Sequence, residues 1–155
     1  MVSFEKDLSN GKRNIKGKDC DDDKLKFEGE YLNGKRNGKG KEYNKNGQLI
    51  FEGEYLNGQK WNGKEKNYNG ENLRYEIEII NGKGKGKEYH DGVLIFEGEY
   101  INGKRNGYGK QYWNNKLKYE GEYKDGKRNG YGKEYYDNGK LRYEGKYLDG
   151  KKLNE

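Results

Sequence analysis

An aromatic residue followed by glutamate recurs at Phe4, Phe27, Phe51, Tyr75, Phe96, Tyr119 and Tyr143, at intervals of 23, 24, 24, 21, 23 and 24 residues. A short, nearly fixed period constrains the fold more than any composition does. Each copy has to be one supersecondary unit that cannot bury its apolar face alone, and stacked neighbours have to supply the missing half of the core. The sequence therefore predicts one repeat array over residues 1–155 with no domain boundary inside it, its units starting at residues 4, 27, 51, 75, 96, 119 and 143.

Within a unit the pattern is that of a β-hairpin. In Phe27-Glu28-Gly29-Glu30-Tyr31, strict alternation sets Phe27, Gly29 and Tyr31 on one face and the two glutamates on the other. Asn33-Gly34 follows as a turn signal, because both residues tolerate positive φ. The return strand runs roughly from Gly38 to Tyr43, and Asn46-Gly47 turns the chain into the next copy. A helix is excluded by the glycines, each costing about 0.8 to 1 kcal/mol there, and by the lack of a 3.6-residue period. Gly29, Gly53, Gly98, Gly121 and Gly145 lie between two inward aromatics, where a missing side chain lets the rings of the next hairpin approach. Glu28 and Glu30 are expected to face Lys39 or Lys41 across the hairpin and to fix its register. The fold class that follows is all-β: an elongated, single-layer, twisted antiparallel sheet of tandem β-hairpins. Six hairpins give about twelve strands, which at about 4.8 Å each extend some 55 to 60 Å.

Composition alone points elsewhere. Charged residues make up 39% of the chain, and Leu, Ile, Val and Phe number only 24 of 155, values found in disordered chains. The 16 tyrosines decide against disorder, because they are periodic and combine strand propensity with a large buried area per ring. The net charge of +6 arises from 33 basic and 27 acidic residues mixed at short range, which permits attraction to acidic surfaces without requiring it. A single cysteine, Cys20, rules out an intrachain disulfide, and no apolar run reaches the about 18 residues of a membrane span. A soluble, cytoplasmic protein is expected, with a peripheral position at a membrane or cytoskeletal structure as a further possibility.

The segments FEGEYLNGKRNGKG (27–40), FEGEYINGKRNGYG (96–109) and YEGEYKDGKRNGYG (119–132) closely resemble the MORN repeat. The resemblance covers essentially the whole chain. It implies a β-hairpin array without catalytic activity of its own, used as a scaffold or for oligomerisation at cytoskeletal or membrane-associated structures, or as an accessory to kinase or methyltransferase domains. Association with acidic phospholipids is also proposed for the family. The chain departs from the pattern at its first copy, FEKDLSNGKRNIKG, and at its last, YEGKYLDGKK, as capping repeats do. Copy three carries an extra residue in GQKWNG (58–63) and has Glu65 in place of a turn glycine. In copy four, YEIEIINGKGKG, Ile77 and Ile79 replace Gly and Tyr and the turn is two residues shorter.

Two interaction sites follow as expectations. Trp61, Ile77, Ile79 and Ile80 interrupt a polar sheet and form a candidate apolar patch for a protein partner or a second copy, against the plainer reading of compensating drift. The turn pairs Lys12-Arg13, Lys35-Arg36, Lys104-Arg105 and Lys127-Arg128 form a candidate basic stripe for an acidic phospholipid surface, against the plainer reading of solvated tips. Nucleic-acid stacking is disfavoured because the rings are needed as core and glutamates share their strands. No catalytic residue, cofactor or metal is assigned. His90 is a lone turn histidine, Ser3 and Ser9 are the only hydroxyls of their kind, and the Gly82–Gly86 run lacks the Gly-Lys-Ser/Thr of a phosphate loop. Asp19, Asp21, Asp23 and Glu30 imitate calcium-loop spacing, but Lys24 stands where such a loop needs glycine. The expected function is a passive protein-binding scaffold or self-associating module, with peripheral binding to acidic lipid as the alternative.

Overall fold

A computed structural model describes residues 2–4 and 15–153 of the chain. Among these every regular element is a strand: β1 (Val2–Phe4), β2 (Ile15–Asp21), β3 (Lys24–Leu32), β4 (Lys35–Tyr43), β5 (Leu49–Leu56), β6 (Gln59–Asn69), β7 (Asn72–Ile80), β8 (Lys83–His90), β9 (Val93–Ile101), β10 (Lys104–Trp113), β11 (Lys116–Lys124), β12 (Lys127–Tyr135), β13 (Leu141–Leu148) and β14 (Lys151–Lys152). Where the sequence predicts one uninterrupted array, the chain divides into two compact units, Met1–Lys66 with Glu78–Gly82, and Asn67–Ile77 with Lys83–Glu155. In the first, β1 to β6 follow one another as antiparallel neighbours in chain order. In the second, β8 to β14 do the same. All-β tandem hairpins in an antiparallel layer are thus what each unit forms.

The turns follow from their residues. Asn33 (φ 51°) and Gly34 (φ 74°) both occupy the left-handed region, as do Asn57-Gly58 and Asn102-Gly103, and two consecutive positive φ values give the turn twist that matches paired strands. Past the turn, the ladder slips between Gly29 and Tyr31. Gly38 (φ 101°) forms this bulge, and the Lys39 N–H donates to the Glu30 carboxylate (3.1 Å). The same device recurs where Glu99 accepts from the Tyr108 N–H and Glu122 from the Tyr131 N–H. Turns are also tied to one another. Asn37 Oδ1 accepts from the Asn57 N–H, Asn62 from Asn81 and Asn106 from Asp125.

The core lies on one face of the layer. Phe27, Tyr31, Phe51, Tyr55, Phe96, Tyr100, Tyr119, Tyr123 and Tyr147 are all buried. Rings from successive copies meet edge to face: Phe27 with Tyr55 at 5.3 Å, Phe96 with Tyr123 at 5.1 Å and Tyr119 with Tyr147 at 5.3 Å between centroids. Each such pair contributes about 0.5–1.5 kcal/mol beyond the area it buries. The glycine row admits rings, but the nearest ring is the copy's own, which corrects the expectation from sequence. A Cβ on Gly29 would lie 2.6 Å from the Phe27 ring and 2.6 Å from the Gly40 Cα across the ladder, whereas a Cβ on Gly40 would lie 2.6 Å from the Phe27 ring and 3.1 Å from the next copy's Tyr55.

Candidate functional site

Cations close the ring face. The Arg36 guanidinium lies 3.9 Å from the centre of the Phe27 ring, Arg105 4.0 Å from Phe96 and Arg128 4.2 Å from Tyr119, with Lys60 over Phe51 and Lys152 over Tyr143 filling the same role. Each cation then reaches a carboxylate or amide of the same face. Arg36 pairs with Glu42, Lys60 with Glu42 (3.1 Å) and Glu65 (2.9 Å), Arg105 with Glu88 (2.6 Å), and Arg128 with Glu134 (2.6 Å) and Gln111 (2.9 Å). Burial raises the Glu88 carboxyl, but hydrogen bonding and charge from Arg105, with a hydrogen bond from Tyr100, outweigh it and hold the group below its ordinary value.

The described residues of the expected basic stripe divide into two groups. In three of its four Lys-Arg pairs the arginine is folded back over a ring, leaving Lys35, Lys104 and Lys127 exposed at the turns. Lys12 and Arg13 lie outside the described residues. The apolar-patch expectation is corrected in part. Ile77 and Ile79 are core residues, 3% and 8% exposed. Ile77 stands where other copies have glycine and packs against Gly84 and Gly86 of β8, filling the space a ring takes elsewhere. Ile80 is 60% exposed, while Trp61 is half-buried with its ring 3.3 Å from where a Gly82 Cβ would be.

The opposite face carries the charge, ordered strand by strand. In the first unit β2 presents Lys16 and Lys18, β3 Glu28 and Glu30, β4 Lys39 and Lys41, and β5 Glu52 and Glu54. Between the members of each pair runs a row of glycine backbone, Gly17, Gly29, Gly40 and Gly53, aligned residue to residue across the four strands. Together they line an open groove of about 810 Å³. Glu28 stands opposite Lys41 as expected, but Glu30 is turned to the bulge N–H of Lys39, and the ion pair from Lys41 runs onward to Glu52 (3.3 Å). Lys133 and Glu144 repeat that step in the second unit.

Tyrosines edge the charged face. Tyr43 donates to Glu28 (2.8 Å), Tyr112 to Glu97 (2.7 Å) and Tyr135 to Glu120 (2.5 Å). The carboxylate partner pushes Tyr135 up to about 12, and partial desolvation with the Glu97 bond does the same for Tyr112. None of the described residues forms a metal-holding cluster of His, Cys, Asp and Glu. Asp19 lies on the ring face beside Arg36 (3.7 Å) while Glu30 lies on the other, so the calcium-like spacing brings nothing together. Gly84 and Gly86 lie within strand β8, and His90 is an exposed residue beside Asp91.

The MORN repeat family model matches residues 27–49, 96–118 and 119–140. The chain carries MORN repeats at these three positions. No curated protein matches it. MORN repeats are generally associated with protein or membrane interactions, and the repeat is a non-catalytic kind of fold. In this chain the MORN pattern divides its residues between faces. The first aromatic, the glycine and the second aromatic build the ring face, the flanking glutamates build the charged face, and Arg-Asn-Gly after the turn supplies the ring cation, the turn tie and the bulge. One ring-face position escaped the sequence reading: Glu42, Glu65, Glu88, Gln111 and Glu134, each 23 residues after the last. Their regular spacing was the available signal, hidden because the MORN-like alignment weighs the glutamates beside glycine and ignores the return strand. Glu65 pairs with Phe51 as Glu42 does with Phe27, so it replaces no turn glycine, and Gly63 opposite Gly53 holds that place.

Proposed function

We propose that this MORN-repeat chain is a non-enzymatic scaffold that binds a protein partner on the charged face of its sheet. The observation that carries the reading is the open groove of the first unit, with paired charges from four consecutive strands over an aligned glycine floor. Such a surface offers position and charge and no group that makes or breaks bonds. The ring face is closed by its own cations, so it is the poorer docking surface. A lipid-surface reading retains Lys35, Lys104 and Lys127 but has to do without the arginines beside them, which are held in ion pairs.

The test is site-specific photo-crosslinking of the full chain in its native cell extract, with the crosslinker at Lys39 in the groove or at Ile80 outside it. A discrete protein adduct from position 39 and none from position 80 is expected. Equal capture at both positions, or no protein adduct together with sedimentation of the chain on acidic but not neutral vesicles at about 0.15 M salt, overturns the reading.

A further inference from the structure

We propose that the groove of the first unit is a charge-coded cradle for an α-helix whose exposed stripe alternates acid and base every three to four residues, a proposal that rests on the scaffold reading and names its partner class. The argument is one of period. Each strand places two side chains of one sign on either side of the glycine floor, and the sign inverts at every strand: lysines from β2, glutamates from β3, lysines from β4 and glutamates from β5. A ligand crossing the strands therefore meets a reversal of charge every about 4.8 Å. Each of its charges meets a pair of opposite ones, which it shares with their contacts inside the sheet: Glu30 with the Lys39 N–H, Glu28 with Tyr43, Glu54 with Asn62, and Lys41 with Glu52.

A helix comes close to that spacing. Residues on one helical stripe recur every 3.5 positions on average, about 5.3 Å at 1.5 Å per residue. Over the three steps between β2 and β5 the helix spans about 16 Å and the strands about 14 Å, a mismatch that flexible lysine and glutamate side chains absorb. An extended peptide presents same-side residues every about 6.7 Å. It spans about 20 Å over the same three steps and falls out of phase before the last strand. A second copy of this sheet matches the period, but face-to-face contact strips water from the charged heads of both surfaces at once, against which it gains only the aliphatic stems that line the groove. A single helix leaves the outer flank of each pair wet. The floor is bare backbone, because the glycine positions direct a Cβ to the ring face, and it favours small residues such as alanine beside the charged stripe; the matching partner reads acid, base, acid, base at positions i, i+4, i+7 and i+11.

Three fluorescein-labelled peptides of equal length and equal numbers of Glu and Lys test this against the full chain by anisotropy at about 0.05 M salt. One is an alanine-rich helix with alternating Glu and Lys at that spacing, one carries the same charges in two blocks, and one keeps the alternating order but is barred from helix by proline. The alternating helix is expected to bind at least ten-fold more tightly than either of the others and to weaken as salt rises. Lys39→Glu/Lys41→Glu is expected to lose at least ten-fold of that binding, with far-UV circular dichroism and Tm checking that the sheet is intact. An alternating peptide whose β4-facing Glu is changed to Lys should then regain it. Should this variant fail to fold, Lys16→Glu/Lys18→Glu poses the same question one hairpin earlier. Equal binding of the three peptides, no binding of any, no rescue by the swapped peptide, or dimerisation of the free chain through this face in sedimentation overturns the proposal. A native partner that crosslinks at position 39 yet still binds the double variant overturns the helix code and leaves the scaffold reading intact.

Discussion

Arg105 is held by two forces at once: its guanidinium lies over the Phe96 ring and donates two hydrogen bonds to Glu88 (2.8 and 2.6 Å). Removing it leaves a half-buried carboxylate without its cation. Arg105→Ala is therefore expected to lose about 2–3 kcal/mol in urea unfolding, and Arg105→Lys less, because the ammonium keeps the charge and gives up the planar fork. Acid tests the same contact. The folded-state pKa of Glu88 lies below its ordinary value of 4.5, so its stabilising effect is present above that pH and is lost as pH falls through the depressed value. Wild-type Tm should drop below pH 4.5 more steeply than that of Glu88→Gln, and parallel curves contradict the assignment. The glycines make a steric prediction. A Cβ at Gly40 lies 2.6 Å from the Phe27 ring, so Gly40→Ala is expected to cost about 1–3 kcal/mol by overpacking, measured by the shift in urea midpoint.

At the scale of the hairpin, strand alternation, the Asn-Gly turns and the ring face were legible in the sequence because each depends on neighbours one to four positions away. The fate of Arg36, Arg105 and Arg128 was not. Side chains from the start of a return strand lie over rings on the strands just before and just after it, and a turn-proximal Lys-Arg pair looks solvated until that contact is seen. Copy four misled for a related reason. Ile77 at a glycine position reads as an exposed anomaly, yet Gly84 and Gly86 opposite it leave room for its methyl groups. Ile77→Ala is accordingly expected to cost about 2–4 kcal/mol as a core truncation, while Ile80→Ser stays within about 0.5 kcal/mol. Equal effects of the two on Tm contradict that division. Alkali reads the edge tyrosines. With Tyr112 and Tyr135 raised from 10.0 to about 12, their contribution is intact below pH 10 and is lost as pH rises towards 12. Tyr112→Phe/Tyr135→Phe should flatten that alkaline limb of Tm against pH.

For the molecule as a whole, repetition makes two surfaces with different fates. One is consumed by stacking, ring against ring and cation against carboxylate, and it allows a chain with so few aliphatic residues to fold. The other keeps its charge in register because the ladder fixes every Lys and Glu to a strand, and it is the surface on which the proposed partner would dock. The groove was only half readable beforehand. Its glutamates and lysines were in view as hairpin pairs, but their extension across four strands needed the register between copies, which depends on bulges such as that at Gly38. All of this depends on rings from neighbouring copies stabilising one another. A double-mutant cycle on Phe96 and Tyr123, with Phe96→Leu, Tyr123→Leu and the pair unfolded in urea, tests that most directly. The account predicts a coupling of about 0.5–1.5 kcal/mol between the two, and strictly additive losses would contradict it.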